Sequence, residues 1–239
     1  MVEIDPETLR QVREMFRELE NPVRLRFFRP EGECRFCEET EEILKILASL
    51  SDKLSAEVNS EGSPEAVKYD LPMYPALLVH GKEEYNVRFF GIPAGYEFGA
   101  LVEDILDVSR GAPSMNPLLR RIVREKIRRR VRIMVFVTPT CPYCPLAVRA
   151  AHKMAMANPL VYGDMIEAME FPDLANRYNV FTVPKNVIQV DGQDVLEFEG
   201  AVPDAYLVAQ VLSALGENIP SELKRAMPYS RTDREFTEL

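Results

Sequence analysis

The sequence predicts an α/β protein in which one arrangement of helices and strands occurs twice along the chain. Two amphipathic helices share one start signal, two CxxC motifs each follow an apolar strand, and two prolines each open a later strand. Each half is expected to read helix, strand, helix, strand, helix, strand, strand, helix. Each half should therefore form a central mixed β-sheet flanked by helices.

The first helix of each half begins with the same signal. Asp5 and Asn116 are suitable N-cap residues, and a proline follows each of them at the first helical position. Apolar residues at helical spacing follow within 5–20 and 116–129, which is typical of amphipathic helices.

A buried strand and then a pair of cysteines come next in each half. Apolar, β-rich runs begin at Val23 and Val131, and each leads through a turn into a CxxC motif and a helix. The motif in the first half is called site one here, and the motif in the second half is called site two. The two sites hold all four cysteines of the chain, namely Cys34, Cys37, Cys141 and Cys144.

The rest of each half also matches. Pro75 and Pro184 lie 41 and 43 residues after the first cysteine of their halves. A tyrosine stands six residues before each proline, and a glycine stands sixteen residues after it. Each proline should open a strand that turns into a second strand, and Asp191-Gly192 is a strong signal for such a hairpin. A last helix follows each hairpin.

The boundary between the halves falls in 109–117, a stretch rich in Gly, Pro and Ser that has the composition of a linker. We therefore expect an N-terminal unit at 1–112 and a C-terminal unit at 113–216. Residues 217–239 have little apolar periodicity and are interpreted as a polar C-terminal tail with room for a short surface helix.

Composition restricts the classes of function. The net charge of −9 argues against a nucleic-acid or membrane-surface role. The arginine-rich stretch 120–132 has helical periodicity, so we interpret it as an amphipathic helix. The N-terminus lacks a secretory pattern and no apolar run is long enough to span a membrane, so a cytoplasmic location is expected. The excess of arginine over lysine and the absence of tryptophan lean towards a thermophilic source.

Three interpretations of the cysteines compete. A four-cysteine zinc site usually has about 15–20 residues between its pairs, whereas over a hundred separate the pairs here. A structural disulfide across CxxC closes so small a loop that it removes little entropy from the unfolded chain. A reactive dithiol fits the local physics, because free N–H groups and the helix dipole stabilise the thiolate of a cysteine at an N-cap. The second cysteine, one turn further, can then complete thiol–disulfide exchange.

The order of elements in each half resembles the thioredoxin fold. In that order a strand, a CxxC motif and a helix come first, and then a strand that opens with X-Pro, a hairpin and a last helix. CPYC at 141–144 is the glutaredoxin-type active-site sequence as it stands. Two such units over roughly residues 5–215 resemble the protein disulfide oxidoreductases of hyperthermophiles. The resemblance implies oxidation, reduction and isomerisation of protein disulfides through a mixed disulfide at Cys141 or Cys34.

The resemblance also implies site residues and partners. All four cysteines would be catalytic, no metal or organic cofactor would be required, and a thioredoxin-reductase-like flavoprotein would supply electrons. The bonds before both prolines would be cis, and the backbone there would pair with bound polypeptide. The implied substrate-binding residues are Tyr74, Pro75, Val183, Pro184, Pro142 and Tyr143.

Two other functions are compatible with the residues. A dedicated electron carrier to a peroxidase, with a peroxiredoxin as partner, would prefer that partner to unfolded chains. A non-catalytic zinc-binding or chaperone-like module would hold stoichiometric zinc and lack reactive thiols.

The two sites differ in their surroundings. No charged residue lies near Cys141 in sequence, and Pro142, expected at the first helical position, and Tyr143 suit the docking of unfolded polypeptide. At site one, Arg35 would favour a thiolate at Cys34, whereas nearby carboxylates would oppose it or act as helix caps. Those carboxylates belong to Glu31, Glu33, Glu38 and Glu39. We therefore predict that site two is the main catalytic dithiol and that site one has a different potential and an auxiliary role.

Both sites depart from thioredoxin in one respect. Thioredoxins carry a buried aspartate six residues before the first cysteine, and here Phe28 and Val135 stand at those positions. The proton of the second cysteine must therefore pass to another group or to water. Glu167 and Glu170 are candidates, but a solvent-facing position is expected for both.

Overall fold

The computed structural model describes residues 4–226. The predicted order of helices and strands is confirmed in both halves, whereas the unit boundaries at 112 and 216 stay a prediction. Of the tail predicted at 217–239, residues 227–239 lie outside the described residues. Its first part forms a short helix that is anchored in the core by the fully buried side chain of Leu223.

The N-terminal half begins at a helix cap of the predicted kind. The side chain of Asp5 accepts the N–H of Thr8 at 2.9 Å, and Pro6 is the first helical residue. A short 3-10 helix, Phe16–Glu18, extends the first helix. The elements of this half are α1 (Pro6–Met15), β1 (Val23–Arg29), α2 (Cys37–Ala48), β2 (Leu54–Ser60), α3 (Pro64–Tyr69), β3 (Ala76–His80), β4 (Val87–Phe90) and α4 (Glu97–Arg110).

The C-terminal half repeats this start, because the side chain of Asn116 accepts the N–H of Leu118 at 2.9 Å. The first helix buries one apolar face, as predicted for the arginine-rich stretch. The elements of this half are α5 (Pro117–Lys126), β5 (Val131–Val137), α6 (Cys144–Ala157), β6 (Val161–Glu167), α7 (Pro172–Arg177), β7 (Lys185–Val190), β8 (Gln193–Glu199), α8 (Asp204–Ala214) and α9 (Ser221–Ala226).

The strands of both halves form one continuous eight-stranded sheet in the order β2-β1-β3-β4-β6-β5-β7-β8. Each half contributes four strands in the same relative order, with a parallel pair, β1–β2 or β5–β6, and two antiparallel pairings. The predicted mixed sheets are therefore present, but their edges are joined. The junction is a parallel pairing of β4 with β6, in register from Val87 opposite Gly163 to Phe90 opposite Ile166.

Helices cover both faces of this sheet. The larger apolar core lies under α1, α2, α4, α5, α6 and α8. The smaller core on the other face is closed by α3 and α7 and contains the rings of Phe28, Phe90 and Phe136. The central strands are buried on both sides, as expected for strands that read as continuous apolar runs.

A buried ion-pair network joins α4 of the first half to α6 of the second. Arg149 donates to the carboxylates of Asp104 and Asp107, the latter at 2.5 Å. His152, also on α6, contacts the other oxygen of Asp104 at 2.6 Å. Burial alone would raise the pKa of Asp104, but the neighbouring Arg149 and His152 hold that pKa below its usual value. The network therefore fixes the two helices side by side.

Replacing Arg149 with alanine should lower the free energy of unfolding by about 3–5 kcal/mol, because Asp104 and Asp107 would stay buried without their counter-ion. Denaturant unfolding followed by circular dichroism measures the difference. Arg121→Ala is the matched control, since its 3.6 Å ion pair with Glu222 is exposed and should contribute less than about 1 kcal/mol. Equal losses from the two variants would contradict a structural role for the network.

Candidate active sites

Site two lies between the end of β5 and the start of α6. Cys141 is 8% exposed, Cys144 is fully buried, and both are free thiols. The helix begins at Cys144 with Tyr143 as its N-cap, so the prediction that Cys141 caps the helix and Pro142 opens it is wrong. The reason is a tight turn ahead of the helix, in which the N–H of Cys144 donates to the carbonyl of Cys141 at 3.4 Å.

The two thiols of site two occupy different environments. The thiol of Cys141, a residue that is 8% exposed, donates to the carbonyl oxygen of Val183, with 3.6 Å between sulfur and oxygen. Burial first, and then the hydrogen bond with Cys141, raise the pKa of the Cys144 thiol far above its usual value. The first thiol is the more accessible of the two and can reach a substrate, whereas the fully buried second thiol stays protonated until a base takes its proton.

A buried carboxyl group of the first half, that of Glu97, lies close enough to Cys144 to affect the pKa of its thiol. Glu97, the first residue of α4, is 1% exposed, and neither carboxylate oxygen has a hydrogen-bond partner among the described residues. Burial, with a smaller contribution from Asp104, raises the pKa of Glu97 to about 8. Its charge in turn raises the pKa of Cys144. A carboxyl group with such a pKa is suited to exchanging a proton with a thiol near neutral pH.

The segment before α4 holds Glu97 against site two. The N–H of Tyr96 donates to the carbonyl of Pro139 at 3.1 Å. Gly95 has a φ of +62°, and a Cβ there would lie 2.2 Å from the carbonyl oxygen of Pro139. Only glycine allows this approach, because it carries no Cβ and tolerates positive φ. The turn before Cys141 is thus built against a loop of the other half.

Sequence reasoning did not identify Glu97. The absence of an aspartate at Phe28 and Val135 showed that another proton acceptor was needed, but the acceptor lies in the other half of the chain. Gly95 indicates a turn or loop before the helix, but it does not identify the segment of the chain that this loop contacts.

Site one has the same frame but is oxidised in the structure. Cys34 and Cys37 form a disulfide with their Cα atoms 5.6 Å apart. Cys37 is fully buried and is the first residue of α2, with Phe36 as its N-cap, so Cys34 does not cap the helix either. Cys34 is partly exposed, and Arg35 between the cysteines is exposed. The guanidinium of Arg35 lies over the ring of Phe36, 5.0 Å from its centroid.

The X-Pro pairs lie where the resemblance implied. The Tyr74–Pro75 and Val183–Pro184 peptide bonds are both cis. Each proline carbonyl accepts an N–H from the glycine sixteen residues later, namely Gly91 at 3.3 Å and, for Pro184, Gly200 at 2.7 Å. Gly91 and Gly200 have positive φ angles, +92° and +90°. Glycine adopts such angles more readily than other residues, which explains why a glycine stands at this position in both halves. Pro142 and Tyr143 are exposed beside Cys141. Substrate binding by these residues stays a prediction.

The expectation that Glu167 and Glu170 face solvent is wrong. Glu167 is 2% exposed and its Oε1 has no hydrogen-bond partner among the described residues. Glu170 is half-buried and accepts the N–H of Ile92 at 2.5 Å. Burial raises the pKa of Glu167, and it raises the pKa of Glu170 to about 7. Glu167 ends β6 and Glu170 follows it in the next turn, and both side chains lie against Gly91 of the first half.

Residues 4–226 contain no group of three or more His, Cys, Asp or Glu side chains arranged to hold a metal ion. None of the helices in this range has the length and apolar character required to cross a membrane.

Comparison with known proteins agrees with this geometry. Residues 131–213 match the model of the thioredoxin domain family. The structure is similar to that of a protein disulfide oxidoreductase from Aeropyrum pernix K1, with a TM-score of 0.79 and 29% identity over 92% of this chain and 97% of the other. The N-terminal N/C domain of an alkylhydroperoxide reductase from Enterococcus faecalis shares the fold, with a TM-score of 0.77, 22% identity and coverage of 87% of this chain and 100% of the other.

One group of curated relatives is longer than this chain. The alkyl hydroperoxide reductase F protein of Staphylococcus aureus is 28% identical over 194 residues, which are 80% of this chain and 35% of that protein. The chain therefore spans about a third of the length of these relatives.

Fold and sites together define the class, a tandem thioredoxin-fold protein with the architecture of disulfide oxidoreductases. The predicted fold, two thioredoxin-fold units in tandem, is confirmed. The predicted resemblance to the protein disulfide oxidoreductases is also confirmed, since the match to one of them covers nearly the whole chain.

The free energy of unfolding should fall as the pH rises from about 4.5 to about 8, because folding raises the pKa of Glu97 from 4.5 to about 8. A raised pKa favours the neutral form, so its stabilising contribution is complete below pH 4.5 and is lost as the carboxyl ionises near pH 8. Each unit of pKa shift corresponds to about 1.4 kcal/mol. Denaturant unfolding at several pH values should show a smaller fall in Glu97→Gln. The control variant Glu20→Gln, at an exposed position, should show the same decrease in the free energy of unfolding with pH as the unsubstituted chain. If Glu97→Gln also showed the same decrease, the prediction would be contradicted.

Proposed function

We propose that this chain catalyses thiol–disulfide exchange on protein substrates, with Cys141 and Cys144 as the main catalytic pair. The observation that carries the proposal is a pair of thiols at the start of α6, one more accessible and one fully buried, with the buried carboxyl group of Glu97, at the start of α4, close enough to affect the pKa of the buried thiol. Oxidation, reduction and isomerisation are the same exchange begun from different redox states, and the reduction potentials of the partners set the direction.

In the reducing direction, the thiolate of Cys141 attacks one sulfur of a substrate disulfide. A mixed disulfide forms, and the other substrate sulfur leaves as a thiolate. Glu97 then accepts the proton of Cys144, whose thiolate attacks Cys141 and releases the remaining substrate sulfur. The substrate gains two electrons and two protons, and the chain is left with a disulfide between Cys141 and Cys144.

We assign polypeptide binding to the backbone before the cis-prolines. We expect the carbonyl of Val183, 3.6 Å from the sulfur of Cys141, to align an extended substrate chain beside the attacking sulfur. Pro184 follows Val183 in the same loop, and the exposed Pro142 and Tyr143 would supply an uncharged surface next to Cys141. Tyr74 and Pro75 have the equivalent role at site one, where Cys34 and Cys37 form the auxiliary pair.

We assign the redox chemistry of this chain to its cysteines alone, without a metal or organic cofactor. The proposed electron partner is a thioredoxin-reductase-like flavoprotein, and the proposed setting is the cytoplasm. Electrons would pass from that partner by thiol–disulfide exchange, because a dithiol on the partner can reduce either cysteine pair directly.

A second candidate function is the delivery of electrons to a peroxidase. The similarity to the alkyl hydroperoxide reductase F proteins supports it. In this case the partner that accepts electrons would be a peroxiredoxin, and site two would serve this one protein rather than many clients.

Replacing Cys144 with serine should trap substrates on Cys141, because no second thiol is left to release the mixed disulfide. Trapped proteins are identified by mass spectrometry after non-reducing purification. Many unrelated clients support general exchange, and a single peroxidase supports the carrier. Cys37→Ser is the matched variant at site one and should trap fewer proteins on Cys34. Equal capture at both sites would contradict the asymmetry, and no capture at either would contradict the proposed function.

Replacing Glu97 with glutamine should slow the release of substrate from a preformed mixed disulfide on Cys141 by roughly a hundredfold, since a general base contributes about 10²–10⁴-fold. In the unsubstituted chain the release rate should rise with pH through about 8, where Glu97 ionises. Rapid-quench measurement of the released thiol gives both quantities. Glu103→Gln, on the exposed side of α4, is the control. A Glu97→Gln variant that kept the normal rate and pH profile would exclude Glu97 as the base.

A further inference from the structure

The two sites share their backbone frame but present opposite surfaces to a partner. Around site two, the exposed side chains are mostly large and apolar. No charged residue occurs between Val137 and Arg149, a range that includes both cysteines. The large exposed apolar side chains in the elements and loops of this site are Tyr96, Tyr143, Leu146 and Phe181.

Around site one, the exposed side chains are mostly acidic. Glu31 and Glu33 are exposed in the loop before Cys34. Glu61, which follows β2, accepts the N–H of Glu31 at 3.1 Å, so it lies beside the same loop. The charges of Glu61 and Asp70 both raise the pKa of Tyr74, after the larger effect of burial, and so act on the residue before cis-Pro75.

The second half extends this acidic rim. Glu170 and Glu167 pack against Gly91, where a Cβ would lie 2.6 Å from a carboxylate oxygen of Glu170. Gly91 in turn donates its N–H to the carbonyl of Pro75, so the two acids lie next to the cis-proline loop of site one. Glu167 is fully enclosed beneath the rim and keeps one carboxylate oxygen without a partner among residues 4–226. Burial raises the pKa of both acids, and the charge of Arg35 lowers both pKa values by a smaller amount, so Arg35 lies near them.

Few positive charges balance this rim. Arg29 is engaged with Glu38 and Glu41, both at 2.7 Å. Arg35 is the remaining cation of the loop, and it forms no ion pair among the described residues. The exposed or partly exposed acidic residues of the rim that are likewise without an ion pair there are Glu31, Glu33, Glu39, Glu61, Asp70 and Glu170.

We infer that site one exchanges disulfides with a partner whose reactive cysteines are flanked by lysine or arginine, whereas site two takes uncharged, apolar segments. This inference rests on the proposed function, because it names the partner class of an exchange that the chain must first perform. Opposite charges on two surfaces raise the rate of association and exclude partners of the wrong sign. The acidic rim therefore selects a cationic dithiol protein for Cys34 and Cys37.

The exchange at site one balances as follows. A thiolate of the cationic partner attacks the partly exposed Cys34, the Cys34–Cys37 bond breaks, and Cys37 leaves as a thiolate and takes up a proton. The second thiolate of the partner attacks the mixed disulfide and releases Cys34, which also takes up a proton. The partner loses two electrons and two protons and becomes a disulfide, and site one gains them.

The test uses two single-site forms of the full chain and two synthetic dithiol peptides. Cys141→Ser with Cys144→Ser leaves site one, and Cys34→Ser with Cys37→Ser leaves site two. The peptides carry the same pair of cysteines, flanked by three lysines in one and by three glutamates in the other. The rate at which each peptide reduces the oxidised site is measured by acid quench and mass spectrometry.

Site one should react roughly tenfold or more faster with the lysine peptide than with the glutamate peptide at low salt. The preference should largely vanish at about 1 M salt, where the screening length falls to about 3 Å. Site two should react with both peptides within about twofold. Equal rates for both peptides at site one would overturn the inference and leave the proposed function intact. Absence of exchange at both sites would overturn the proposed function as well.

A pair of charge variants separates the rim from the net charge of the chain. Glu31→Gln with Glu33→Gln should reduce the lysine preference of site one severalfold. The control is Glu18→Gln with Glu20→Gln, which makes the same charge change before β1, at the opposite end of that strand from site one. Equal effects of the two double variants would show that overall charge, not the rim, sets the preference, and would overturn the inference.

Discussion

Backbone hydrogen bonds between β4 and β6 join the sheets of the two halves, and their parallel direction determines what both sites contain. Because the two strands run the same way, their carboxyl ends emerge side by side at the edge where both cysteine pairs lie. The chain after β4 crosses to Pro139 and carries Glu97 to Cys144. The chain after β6 turns back over Gly91 and brings Glu170 next to site one. Each half therefore supplies acidic groups to the site of the other half.

The buried acids of the chain fall into two groups with different physical environments. Asp104 and Asp164 are fully buried but hydrogen-bonded to arginines, which hold the pKa of each below its usual value against the effect of burial. Glu97 and Glu167 are almost as deeply buried, but neither carboxylate oxygen of Glu97 and only one of the two oxygens of Glu167 has a donor among the described residues. An unpaired buried carboxyl reduces stability, and such groups concentrate where a protein handles protons or ligands. The paired acids hold the halves together, and the unpaired acids lie at the sites.

Local signals in the sequence are sufficient to predict the order of the helices and strands. Asp5 and Asn116 start their helices through side-chain hydrogen bonds to nearby N–H groups. Gly91 and Gly200 were matched by position alone, and both proved to have positive φ and to bind the cis-proline carbonyl. These features depend on residues that are close in sequence or on a spacing that occurs twice, so they can be predicted from a single sequence.

Long-range features were not predictable in the same way. Nothing in β4 or β6 indicates that they pair with each other, because a strand buried on both faces reads the same at an edge as in the middle of a sheet. The place of Glu97 follows from that pairing and could not be inferred without it. The sequence predicts that this helix starts at Pro142, whereas it starts at Cys144. The prediction is wrong because a proline fits the first position of a helix as well as it fits a turn.

The chemistry and the specificity of the sites rest on different parts of the structure. In both halves the first cysteine is more accessible than the fully buried second one, and a cis X-Pro bond opens a later strand, so both sites can perform the same exchange. The rims consist of exposed side chains such as Glu33 and Tyr143, whose substitution changes packing little. One backbone frame can therefore carry two surfaces of different charge without a loss of stability. It follows that the two sites should differ in the partners they admit as well as in their roles as main and auxiliary pair.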